Sequence, residues 1–303
     1  LLLEEKNIAY KEYEKGIGAA IGCSVVWGIL PVYWQALSPI NSWVIIVYRI
    51  FLVCVVAVIM ARMSYSWKRI FEPLKDRKVR IRYFTAGLLI TVNWSTYIWA
   101  VNAHHVIQTC VGYYIEPLMV CIFGMVFFRE RLTKYKSIAL ILAMSSVVLI
   151  LVHFHAVPTI ALVLAITFST YSAIKKTVEQ PPLISLVYET IFLAPPALCV
   201  IIWMEVTGKG ALGVGEPYQY LLLLLCGLLT VIPLGLFAAA AKRVSMFMLG
   251  LTEYISPSLS LIVGVLLLGE PLDKVQFIAF AIIWLGLVFF SYGEYKDASK
   301  MLE

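Results

Sequence analysis

Ten runs of mostly apolar residues, each close to the length that crosses a bilayer, succeed one another along this 303-residue chain. A hydrocarbon core of about 30 Å takes roughly 20 helical residues. The runs span about 16–37, 42–60, 82–102, 106–128, 136–153, 157–173, 183–205, 218–241, 244–268 and 274–292. They leave no room for a soluble domain, and the 61% hydrophobic and 14% charged residues fall far outside the globular range. The chain reads as an all-α integral membrane protein with ten transmembrane helices. The sixth run has the weakest signal: only "HFHAVP" parts it from the fifth, and it carries Ser169, Thr170 and Ser172.

Lysine and arginine test that count, because cytoplasmic loops carry the basic excess. With the N-terminus inside, the inner segments hold 21 of the 24 basic residues. The outer loops hold only Lys209 and Lys274, and Arg49 lies inside a span. The net charge of +6 is thus a topology signal, and no nucleic-acid partner is expected. The lead-in "LLLEEKNIAYKEYEKG" is mixed in charge, so the first span reads as an anchor and not as a cleaved signal.

A repeat runs through the chain. Laid over each other without a gap, "YYIEPLMVCIFGMVFFRERLTK" and "EYISPSLSLIVGVLLLGEPLDK" bring Pro117 onto Pro257, Gly124 onto Gly264, Glu130 onto Glu270 and Lys134 onto Lys274. The same register sets Val47-Tyr48-Arg49 over Val187-Tyr188-Glu189. Matches among Leu, Ile and Val follow from composition alone; paired Pro, Gly, Glu and Lys in register do not. Two copies of a five-helix unit follow, and because five is odd the second enters the membrane from the opposite side. The expected organisation is a cytoplasmic segment at 1–15, a first repeat at 16–153, an inverted second repeat at 154–292 and a cytoplasmic tail at 293–303. Inverted halves are a recurring construction in secondary transporters, which expose a midplane site to each side in turn.

Several segments carry a resemblance. "WGILPVYW", "NWSTYIWAVNAHH", "GYYIEPL", "RERL", "TVIPLGLFAAAAKR", "LGLTEYISPSL" and "GEPL" together resemble the RarD branch of the EamA-like drug/metabolite transporter superfamily, over nearly the whole chain. The resemblance implies ten helices with both termini cytoplasmic, a central cavity between inverted halves, and export of small metabolites or drugs across the cytoplasmic (inner) membrane. Three positions depart from the family pattern. Glu116, Glu253 and Tyr48 stand where Asn, Gln and His are common, so the charge of the site does not carry over from the family.

Ionisable groups inside spans are costly and mark candidate sites. Glu116 lies near the middle of its span. Pro117 beside it leaves the Tyr113 carbonyl without a donor, and Pro257 does the same for the carbonyl of Glu253. Arg49 and Glu189, repeat mates of opposite sign, read as an interhelical ion pair that holds the halves together or locks a gate. The competing role for Arg49 is contact with an anionic substrate group. Trp27, Pro31 and Trp34 share one face of the first span. Asn93 and Tyr97 share another, with Trp94 beside them, and this group is expected in the cavity, with Tyr113, Tyr114 and Tyr171 as further members. The candidate substrate site is therefore Trp27, Pro31, Asn93, Trp94, Tyr97, Tyr113, Glu116, Tyr171, Glu253 and Tyr254, with Arg49, Glu189, Pro117 and Pro257 in coupling or gating. Two added carboxylates favour amine-bearing or zwitterionic molecules over plain anions.

No phosphate-binding loop is present, so neither ATP drive nor a cofactor is expected. His104, His105, His153 and His155 sit at outer loops with spacings too short to make a metal site. The six cysteines fall in apolar runs without C-x-x-C spacing and read as packing residues. The expected partners are a small-molecule substrate and the lipid bilayer, with protons as the candidate coupling ion; monomer and homodimer stay open. Two other classes also stay open: a membrane enzyme acting on a lipid-linked substrate, with His104, His105 and a carboxylate as acid and base, and a sensor or scaffold without transport.

Overall fold

The computed structural model describes residues 2–102, 106–154, 159–267 and 274–302, with side chains at 10–100, 111–154, 159–267 and 274–296; no β-strand occurs among them. The helices are α1 (Leu2–Ala36), α2 (Ser42–Ser64), α3 (Trp67–Phe71), α4 (Arg77–Asn102), α5 (Val106–Phe127), α6 (Lys134–Phe154) and α7 (Thr159–Thr177). They continue as α8 (Pro182–Thr190), α9 (Ala194–Val206), α10 (Pro217–Ala241), α11 (Met246–Glu253), α12 (Ile255–Leu267) and α13 (Lys274–Leu302). Helix lies over each of the ten predicted runs. By length and composition six stretches among the described residues are able to cross a membrane: α1, α2, α6, α10, α13 and Met246–Leu267. The pair α8 and α9, bent by 55°, makes a seventh.

Where helix and prediction differ, local chemistry accounts for it. Nothing in the lead-in breaks a helix before Gly16, and Lys15 pairs with Glu12 one turn back at 2.7 Å, so residues 2–15 extend α1. The basic loop after α2 folds into α3 and a 3-10 turn over Glu72–Lys75, unforeseen in the sequence; Ser66 caps α3 by accepting from the Arg69 amide at 3.4 Å. The polar sixth run is a helix because its hydroxyls turn inward on their own backbone. Thr167 donates to the Val163 carbonyl at 2.7 Å, Thr170 to Ile166 at 2.7 Å and Ser172 to Phe168 at 2.8 Å.

Prolines break two of the long runs and leave three others, at Pro31, Pro117 and Pro233, unbroken. Pro195 and Pro196 have no N–H for the carbonyls of Ile191 and Phe192, and α8 gives way to α9 there. Pro257 acts likewise on the carbonyl of Glu253, and the helix is interrupted at Tyr254, whose amide turns to the carbonyls of Leu251, at 3.3 Å, and Thr252. α5, by contrast, runs unbroken through Pro117.

Helices at matching places in the two halves of the sequence pack on one another: α2 on α8 and α9, α5 on α11, α6 on α13. Small residues permit the approach. A Cβ on Gly87 of α4 would collide with the Glu189 carbonyl oxygen of α8, so only glycine fits. At the α5–α11 contact the Tyr254 hydroxyl donates to the Tyr114 carbonyl at 2.9 Å, joining two residues that the sequence register aligns.

Candidate functional site

Asn93 of α4 donates to the Leu164 carbonyl at 2.8 Å and to Thr167 Oγ1 at 3.1 Å, which fixes α4 on α7. Its side chain also lies beside the Glu116 carboxylate of α5. One helical turn on, Tyr97 meets Tyr113 with ring centroids 5.8 Å apart. Four of the candidate residues, Asn93, Tyr97, Tyr113 and Glu116, thus lie together where α4, α5 and α7 meet.

Glu253, the last residue of α11, is an electrostatic neighbour of Glu116, Cys23 and Cys121. It is 5% exposed, and both of its carboxylate oxygens are buried with no hydrogen-bond partner among the described residues. Buried polar atoms nearly always find a partner, and an unpaired charge in a low-dielectric interior costs several kcal/mol. A positive partner, proton or cation, has to accompany a negative charge on Glu253.

The predicted ion pair between Arg49 and Glu189 is not formed. Glu189 is held by Lys175 of α7, Nζ to Oε1 at 2.6 Å, and accepts from Ser185 Oγ at 2.8 Å and from the Tyr171 hydroxyl at 3.2 Å. Tyr171 therefore belongs to this closed network instead of lining a cavity. Lys175, counted from sequence with the loop lysines, is 1% exposed inside the fold. It stands on a different helix from Glu189 and shares no helical spacing with it, so only the packing of α7 and α8 reveals the pair. Arg49 turns the other way: Nε donates to Thr230 Oγ1 of α10 at 3.0 Å, and the guanidinium lies 3.7 Å from the Trp94 ring centroid and 5.0 Å from that of Trp34.

Other predicted members serve packing. Trp27 meets Phe168 and Phe237 at 5.8 and 5.7 Å, and Tyr254 is fully buried in its bond to Tyr114. Pro31 sits inside a continuous α1, and Pro117 presents its carbonyl to Gly250 of α11. Beside Trp94 and Glu189 the free volume is about 10 Å³, at the lower limit for one water molecule. A wider cavity of about 480 Å³ lies between α1, α11, α12 and α13, along Tyr10, Tyr13, Ile17, Met248 and Thr252.

Polar ties link residues from the first and second halves of the sequence. Arg129, with φ 53°, ends α5 in the left-handed conformation and turns Glu130 toward α11. There Glu130 accepts from the Met246 and Phe247 amides at 2.6 and 2.8 Å, satisfying orphan donors of a helix start. Lys136 pairs with Glu294 at 2.8 Å and Arg243 with Glu12 at 2.8 Å. Tyr48 donates to Glu205 at 2.7 Å. His104, His105 and His155 lie outside the described residues, as do the side chain of Cys110 and the segment 268–273. Of the other cysteines, Cys23, Cys54, Cys121 and Cys226 are buried free thiols and Cys199 is an exposed one.

Long apolar helices enclosing buried charges define a multi-pass membrane protein, of the class of transporters. The chain belongs to the EamA-like transporter family, within the drug/metabolite transporter superfamily and its RarD branch; the family pattern matches twice, over residues 14–152 and 157–292. It is 32% identical to the uncharacterized transporter YojE of Bacillus subtilis (strain 168), covering 96% of this chain and 99% of that one. It is also 32% identical to Protein RarD of Streptomyces exfoliatus, over 96% and 93%. With the chloramphenicol-sensitive protein RarD of Pseudomonas aeruginosa it shares 28% identity, over 95% and 96%. A crystal structure at 18% identity superposes with a TM-score of 0.69 over 90% of this chain and 96% of its own, which shows a shared fold.

Proposed function

We propose that this chain is a secondary transporter, not an enzyme, that exports small amine-bearing molecules across the cytoplasmic membrane by alternating access. Its ten transmembrane helices form two inverted five-helix repeats, with both termini cytoplasmic and protons as the coupling ion. The observation that carries the reading is Glu253, a buried carboxylate with neither oxygen partnered, beside Glu116. The family resemblance implies a neutral amide at this position, so the fold itself does not require the charge. An ammonium group supplies the missing partner when substrate is bound, and a proton supplies it when the site is empty. Asn93, Tyr97 and Tyr113 flank the carboxylates from α4 and α5, Trp94 stands against Arg49, and Pro117 and Pro257 shape the backbone next to the acids.

The inverted arrangement is supported by the double family match and by the packing of α2, α5 and α6 on their counterparts in the second half of the chain. Such paired interfaces are the surfaces on which two near-equivalent halves exchange their packing. The ties at Glu130, Glu294 and Arg243 form the inner gate. Uptake of a labelled panel of amines, zwitterions and anions into proteoliposomes tests the reading: saturable, amine-selective uptake supports it, and binding or chemical conversion without translocation would overturn it.

A further inference from the structure

We propose that the cavity between α1, α11, α12 and α13 is a second binding site, apart from Glu116 and Glu253, for a single-chain amphiphile with an ammonium head. Tyr10, Glu14, Ile17 and Ile21 of α1 follow i, i+4, i+7 and i+11 spacing, which puts them on one face, and all four line the cavity. The stripe is polar at one end and aliphatic at the other. α13 matches it end for end: Tyr13 donates to Glu294 and Tyr10 neighbours Tyr295, while Leu287 and Phe290 lie farther along the wall. Met248 and Ile255 complete the apolar lining from α11 and α12. α1 packs closely on α12 and only lightly on α13, and the cavity fills the angle that is left. At about 480 Å³ it has the size of a small-molecule pocket.

The charges at the polar end leave one acid over. Glu294 is taken by Lys136 at 2.8 Å and by the Tyr13 hydroxyl. Glu14 accepts from the Tyr10 hydroxyl and has no lysine or arginine within ion-pair distance among the described residues. Lys15 and Arg243 are both held by Glu12, and no basic side chain lines the cavity among the described residues. A cationic head that meets Glu14 there also finds the aromatic surface of Tyr10, Tyr13 and Tyr295, which attracts ammonium groups. Its chain finds Ile17, Met248, Leu287 and Phe290. An anionic head would face two carboxylates, and the phosphate of a zwitterionic lipid would find no cation in the lining.

Ser291, exposed in the lining, offers a reporter. The full chain with Ser291→Cys and no native cysteine is placed in phosphatidylglycerol nanodiscs, and the rate of labelling by a maleimide is followed. Decyltrimethylammonium should slow labelling in a saturable way. Decanesulfonate, with the same chain and an anionic head, and tetramethylammonium, the head without the chain, should change the rate less than about twofold. Glu14→Gln should raise the concentration of decyltrimethylammonium needed about fivefold or more, and Tyr10→Leu should act in the same direction. Glu72→Gln, which removes an exposed acid outside the cavity, should leave it unchanged. Equal protection by the sulfonate, or a Glu14→Gln protein protected as the parent is, would overturn the proposal. So would protection by phosphatidylethanolamine alone in place of phosphatidylglycerol, which would assign the cavity to a bilayer lipid. The reading needs no translocation, so its outcome is independent of whether amines are carried at Glu116 and Glu253.

Discussion

Lys175 Nζ lies 2.6 Å from Glu189 Oε1, with 1% and 2% of the two side chains exposed, and this pair occupies the carboxylate that the repeat pattern had assigned to Arg49. Breaking a buried ion pair from one side leaves a charge without compensation, at a cost of about 3–5 kcal/mol. Lys175→Met or Glu189→Gln should therefore lower the thermal unfolding temperature in detergent sharply, whereas the double variant Lys175→Met/Glu189→Met should recover most of the loss. Exchanging Arg49 and Glu189 should give no recovery. A swap that restores stability would reinstate the pair read from sequence.

Glu130 ties the end of α5 to the start of α11 through two backbone amides. Glu130→Ala removes a charged cap and should destabilise by about 1–2 kcal/mol. It should also raise thiol-reagent access at a cysteine placed at Ser245, the N-cap of α11. Unchanged access together with unchanged stability would show that the tie is incidental to closure.

Lys134 and Lys274 are both exposed and occupy equivalent places in the repeat. In a background without native cysteines, an impermeant reagent should label Lys134→Cys only from the cytoplasmic side and Lys274→Cys only from the outside. Labelling of both from one side contradicts the inversion.

Gly87 touches the Glu189 carbonyl so closely that a methyl group finds no space. Gly87→Ala must push α4 from α8, and a destabilisation of about 1–3 kcal/mol is expected from thermal unfolding. A neutral result would mean that α4 and α8 lie farther apart than described.

Much of this was legible in the sequence because the bilayer demands it. Apolar run lengths located helix over all ten segments, and the repeat register pairs Tyr114 with Tyr254, whose helices do pack together. Asn93, Tyr97, Tyr113 and Glu116 were each legible as candidates because helical spacing and intramembrane cost are local properties, but their meeting was not. Partner choice was not. Glu189 could satisfy its charge with Arg49 or Lys175, and side-chain reach after packing decided for a lysine that sequence reads as a loop residue. Nor could spacing tell that Pro257 interrupts its helix while Pro117, in the matching place, leaves α5 intact.

The most direct test of the account is counterflow of labelled amines in proteoliposomes, comparing the parent with Glu116→Asn and Glu253→Gln between about pH 8 and about pH 6. Proton and ammonium compete for the same carboxylates, so amine binding by the parent should weaken as the pH falls. Both variants, carrying the family's amides, should lose about tenfold or more in amine affinity and most of that pH dependence, while still exchanging neutral compounds. Variants that bind and exchange amines as the parent does, with the same pH dependence, would contradict a transport site built on Glu116 and Glu253.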